Sequence, residues 1–134
     1  MALSTVNSDI DINLSKNKFT DDISLVKDAY AVRQSLINLI LTIPGEKPFS
    51  RNFGTKINDM LFENFTEMDV AFLEKNIAAN FARYEPRAAL EYIDIDTDLI
   101  DNNQVSINIF FVILTGAEAD VTHDSIRIGL NKVR

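Results

Sequence analysis

No cysteine occurs in the chain, so disulfides, thiolate metal sites and cysteine nucleophiles are all excluded. His123 is the only histidine. It has no second ligand at metal-motif spacing and no serine-centred elbow beside it, so it reads as a surface or loop residue. With only 4 glycines there is no glycine-rich loop to cradle phosphate. Tryptophan is absent and most of the other aromatics fall on predicted core faces, which leaves a sugar-cleaving cleft without stacking walls. Two carboxylates at a glycosidase spacing of roughly 5 to 9.5 Å arise by chance among 20 acidic residues, so their presence alone does not mark an enzyme. Long apolar runs are missing too. Ile109 to Leu114 falls far short of the roughly 20 residues that span a bilayer. The start, Met1 to Val6, has neither the basic nor the apolar region of a secretory signal, so residence in a cytoplasm is expected. Positive charge is scarce: 13 basic residues against 20 acidic ones give a net charge of -7, which disfavours nucleic-acid binding by the bulk surface.

What is present suits one folded domain. At 134 residues, 46% hydrophobic and 25% charged, the chain is long enough to bury a core without staples. Residues 1–20 form a polar arm in which Ile10, Ile12 and Leu14 alternate with Asp9, Asp11 and Asn13. Period 2 suits an extended arm or edge strand, with a free arm as the alternative. Residues 21–134 make up the domain proper.

Asp28 is placed as the N-cap of a helix running to about Ile43, with Val32, Leu36, Leu39, Ile40 and Ile43 at helical spacing. Ile43-Pro44-Gly45-Glu46 is a type II turn, because proline presets φ and glycine accepts the positive φ that follows. Gly54 marks a further bend, and Ile57, Met60 and Leu61 suggest a short helix. Thr66-Glu67-Met68-Asp69 resembles a capping box opening a helix to about Tyr84. Val70, Leu73, Ile77, Phe81 and Tyr84 lie on its core face, and Asn76 and Asn80 on its wet one. Pro86 ends that helix.

Strands follow. Ile93, Ile95 and Leu99 alternate with Asp94, Asp96 and Asp98. The aspartates start like a calcium loop, but its sixth and twelfth positions are Leu99 and Val105, where glycine and glutamate are needed, so they read as a solvated strand face. Gln104 to Leu114 is apolar on both faces at its end and belongs in the middle of a sheet. A loop covers Gly116 to Asp124, and Ile126, Ile128 and Leu130 define the last strand. The predicted class is α+β, two main helices on one face of a small, mainly antiparallel sheet.

Two readings stand for Glu85-Pro86-Arg87. One is a helix stop with an intramolecular ion pair; the other is a preformed charged knob that offers Arg87 and Glu85 to a partner. In order, Pro44-Gly45-Glu46, Pro48, Phe53-Gly54, Leu61-Phe62-Glu63 and Tyr84-Glu85-Pro86-Arg87 resemble the baseplate wedge, sheath-initiator family of contractile phage tails. Members of that family also occur in phage-tail-like particles and type VI secretion baseplates. The resemblance spans about residues 25 to 130. It departs at Ile43, where the family more often has a basic residue, so a polar contact at that position is not implied.

The resemblance implies a structural subunit of the tail baseplate, assembled in the host cytoplasm. Glu85, Pro86 and Arg87 would face the helical core bundle of the larger wedge subunits. A sheet edge would accept strands from the first sheath ring, and contact with tube or hub proteins is a further expectation. That edge is placed at Ser125, Ile126, Arg127, Ile128, Gly129 and Leu130, with Ile93 to Leu99 as the alternative. No cofactor, metal, membrane or small-molecule substrate is expected. A tail-associated muramidase and a same-fold cytoplasmic adaptor are the alternatives.

Overall fold

The structure, a computed structural model, describes residues 8–60, 66–96, 104–114 and 121–131. Expectations that rest on Leu61, Phe62, Glu63, Asp98, Leu99 and the 116–120 stretch lie outside those residues. In chain order the elements are β1 (Ser8–Ile10), β2 (Leu25–Lys27), α1 (Ala29–Leu41), α2 (Ile57–Met60), α3 (Glu67–Tyr84), β3 (Ala88–Asp96), β4 (Gln104–Leu114) and β5 (Val121–Asn131). The class is α+β, as the order of patterns predicts.

β1 and β2 pair antiparallel, and Lys16 bridges Ile23 further along, so the polar start folds back as a ribbon. Gln34 of α1 fastens this ribbon: it accepts from the Ile12 N–H at 3.1 Å and donates to the Ile10 carbonyl at 2.7 Å. Isolated two-stranded ribbons are marginal in water, so this bracket supplies part of what holds it in place.

α1 buries Ala31, Val32, Leu36, Leu39 and Ile40. Two local expectations need correction. Asp28 stands at the N-cap, but at φ 53° its side chain makes no capping bond, and its backbone carbonyl accepts from the Val32 N–H instead. The helix also stops at Leu41, because Thr42 is extended ahead of Pro44, so Ile43 is left 40% exposed rather than in the stripe. The turn after it forms as expected: Glu46 N–H reaches the Ile43 carbonyl at 3.0 Å, with Gly45 at φ 100°. Gly54, at φ 116°, is required by close approach, since a Cβ there would lie 2.2 Å from the Thr42 carbonyl oxygen.

α3 opens with the capping box. Thr66 Oγ1 accepts from the Asp69 N–H, and Asp69 Oδ2 accepts from the Thr66 N–H. Leu73, Ile77 and Phe81 face the core. Asn80, predicted on the wet face, is instead buried, its Nδ2 donating to the Asn76 carbonyl at 2.9 Å.

The larger sheet has the order β3-β4-β5, antiparallel throughout, with β4 central as its two-sided apolar end requires. Val105, Ile107, Ile109, Phe111 and Ile113 of β4 join Ile126 and Ile128 of β5 and the buried residues of α1 and α3 in one core. β3 starts at Ala88, earlier than its alternation suggests. A bulge between Leu90 and Tyr92 shifts the parity so that Leu90 and Ile93 both face inward. β5 likewise begins at Val121, not after Asp124, because the outer half of β4 continues to pair with it: Phe111 with Asp124, Leu114 with Val121. Arg33 of α1 grips Asp124 through two bonds of 3.1 and 3.2 Å, tying helix to strand.

Candidate assembly surfaces

The turn after α3 is built from local rules. Glu85 closes the helix through its N–H to the Phe81 carbonyl, and Ala88 N–H returns to the Glu85 carbonyl at 3.1 Å, with Pro86 in the second position of the turn. This folds Arg87 back over Glu85. Arg87 Nε donates to Glu85 Oε1 at 2.5 Å and an Nη to Oε2 at 2.8 Å, while Ser35 Oγ of α1 donates to the same Oε2 at 2.6 Å. Burial pushes the Glu85 carboxyl up, but the Arg87 and Ser35 hydrogen bonds and the Arg87 charge together hold it below its ordinary value. The Arg87 guanidinium is raised, first by its hydrogen bonds to Glu85, against desolvation, with the charges of Glu85 and Asp9 adding to the rise.

The intramolecular ion pair is thus present. Glu85 is 3% exposed, so its carboxylate is used inside the chain. A partner arriving at this turn meets Pro86 and the open part of Arg87, whose side chain is 37% exposed.

Of the β5 residues, Ile126 and Ile128 are buried, Ser125 and Leu130 are half-buried, and Arg127 and Gly129 are exposed on the outer face. Among the described residues no strand pairs with the far side of β5. The other sheet edge differs. β3 is bulged, and its Ile93 N–H is met by Glu74 Oε1 of α3 at 3.4 Å. Bulges and covering groups blunt an edge. The outer sheet face carries a second feature that alternation hides, Tyr92 stacked on Phe110 with centroids 4.3 Å apart and rings 14° from parallel.

Asp94 is exposed on β3, and His123 is exposed with Nδ1 3.0 Å from Glu91 Oε1. Among the described residues no helix is long and apolar enough to cross a membrane, and no cluster of His, Asp and Glu could hold a metal ion.

Motifs distant in sequence converge. Phe53 packs edge-on against Tyr84 with centroids 5.0 Å apart, and Lys47 Nζ lies 4.0 Å from the Phe53 centroid. Pro44, Gly54 and Tyr84 line one cavity. A helix pair lies over a three-stranded antiparallel sheet, and motif residues distant in sequence meet at its turns, the layout of a small α+β module. The chain belongs to the family described as "Baseplate wedge protein gp25", whose sequence profile matches residues 26–117.

It is similar to the baseplate wedge protein gp25 of Enterobacteria phage T4, 36% identical over 80 residues, a segment covering 60% of each chain. The match therefore spans less than two thirds of the phage T4 protein's length. The fold is similar to a chain in the baseplate of the anti-feeding prophage, with 24% identity and a TM-score of 0.62 over 92% of this chain and 85% of that one. It is also similar to a putative tail lysozyme from Geobacter sulfurreducens, with 16% identity and a TM-score of 0.63 over 78% of this chain and 91% of that one.

Proposed function

We propose that this chain is a non-enzymatic subunit of a contractile-tail baseplate, docking on larger wedge subunits and starting sheath growth by accepting a strand along β5. The observation that carries the reading is the asymmetry of the two sheet edges. β5 is an eleven-residue strand without a bulge and, among the described residues, is paired on one side only, whereas β3 is bulged and met by Glu74. An unpaired row of backbone donors and acceptors is a template for another chain. Exposed Arg127 discourages pairing of two free copies, since like charges brought together oppose each other.

The docking contact falls on Pro86 and Arg87, with Glu85 holding the guanidinium in place from below. This also argues against acid catalysis. Among the described residues Glu85 is the buried carboxylate, and a general acid needs its pKa raised, whereas this one is lowered by its partners.

The test exploits strand parity. Successive residues of β5 send their N–H alternately toward β4 and toward the open edge. Thr122 and Arg127 belong to opposite parities, and both side chains are exposed. Of Thr122→Pro and Arg127→Pro, the variant that removes an outward donor should fold, join the wedge and fail to nucleate sheath in a reconstituted assembly watched by electron microscopy. If that folded variant starts sheath at the normal rate, strand capture at β5 is wrong.

A further inference from the structure

The ion pairs among the described residues occupy Lys16, Arg33, Arg87 and His123. Lys47, Arg51, Lys56 and Arg83 have no such partner there. From Lys47 to Lys56 the chain carries three cations and no carboxylate, in a protein whose net charge is -7. The fold gathers two of these unpaired cations, Lys56 and Arg83, on the wall of one cavity of about 290 Å³ between the loop after α1 and the C-terminal half of α3.

The rest of that wall is amide-rich. Asn52, Asn76 and Asn80 line it with Tyr84. Asn80 is only 7% exposed, and the Oδ1 of Asn76 is buried without a hydrogen-bond partner among the described residues. On this wall Arg83 meets the Tyr84 ring at 5.4 Å, and neither Arg83 nor Lys56 has a carboxylate partner among the described residues, so the cavity presents uncompensated positive charge. On the same loop Phe49 is wholly exposed at φ 64°, a backbone state costly for an aromatic residue and found where function holds it.

We propose that this cavity binds an acidic segment of a neighbouring protein. A carboxylate seats against Lys56 and Arg83, and the exposed carboxamide of Asn52 bonds the segment's main chain. Carboxylate and guanidinium or ammonium form charge-assisted bonds, and asparagine offers both a donor and an acceptor to a peptide group. The volume suits one or two side chains rather than a track of phosphates, and the negative field of the whole chain repels a nucleic acid before contact. The inference is independent of strand capture at β5, which lies on a different element.

Titration of the isotope-labelled full chain with an N-acetylated octaglutamate amide, followed by amide NMR, tests it. The expected shifts cluster at residues 52–56 and 76–84, and the affinity falls with added salt. Lys56→Gln with Arg83→Gln weakens binding about tenfold, as two contacts of exposed ion-pair strength imply. Lys16→Gln, in the ribbon, changes it less than about twofold. Both cations are exposed, so the double variant keeps its spectrum, and the salt dependence of the unmodified chain reads the same point without mutation. Shifts scattered over the surface, equal binding of an octaglutamine control, or unchanged affinity in the double variant overturns the proposal. A single-stranded oligothymidylate of equal charge that shifts the same residues as strongly overturns the polypeptide assignment.

Discussion

Replacing Arg87 with alanine separates the two uses of the Glu85-Pro86-Arg87 turn. The change removes two bonds, of 2.5 and 2.8 Å, to a carboxylate on a residue 3% exposed. It leaves only the Ser35 hydroxyl as a side-chain partner. Hydrogen bonds to charged groups contribute about 1.5–3 kcal/mol each in buried settings. Because more than a third of the Arg87 side chain is exposed, water replaces part of the loss, and the sum discounts to about 2 kcal/mol. For 134 residues that lowers Tm by roughly 8 °C, between the sensitivities of smaller and larger domains.

The pH dependence carries the sharper signature. In the parent chain Glu85 has a lowered pKa, so its contribution is fully present above its ordinary value and fades as pH falls through the lowered one. Without the guanidinium the burial that raises this pKa is opposed only by the Ser35 hydroxyl and the backbone N–H of residue 87, and the carboxyl takes up its proton earlier on acidification. The gap between parent and variant should therefore be widest near neutral pH and narrow toward about pH 4, as read by thermal melting at both. A Tm change under about 2 °C at neutral pH, or a gap that widens on acidification, refutes this account of the turn. Arg87→Lys, which keeps the charge but loses the fork, should recover part of the stability, and it is the better variant for testing wedge docking.

Gly54→Ala sets a Cβ 2.2 Å from a backbone oxygen at a φ that side chains rarely adopt. Strain and the loss of the Thr55 N–H bond to Thr42 together should cost about 3 kcal/mol in chemical denaturation. Gly45→Ala, with nothing within 4 Å, should cost only the backbone conformation, about 1–2 kcal/mol, and an equal loss at both sites would show that steric approach is not what demands Gly54. Thr66→Ala opens the capping box and should lower stability by about 1 kcal/mol, with fraying of the first turn of α3 visible in faster amide exchange; unchanged exchange there would refute a role for the cap.

Features governed by neighbours along the chain were legible in the sequence. The stripes Val32-Leu36-Leu39-Ile40 and Leu73-Ile77-Phe81, the turn at Pro44-Gly45, the Thr66 box and the two-sided apolar end of β4 each follow from a local period or a backbone preference, and each is found in the fold. The family motifs could be read as an ordered set, though not why they belong together. Only the tertiary structure decided that Glu85 turns inward toward Ser35, 50 residues away, and that Asn80 on an apparently wet helix face is buried. The fold likewise bends β3 at a bulge and places Glu74 against its Ile93 N–H, while among the described residues no strand pairs with the far side of β5. Periodicity reports which side of an element is apolar. It carries no information about which distant group will meet a given donor or charge, because that depends on how separate elements pack and on which buried groups must then find partners.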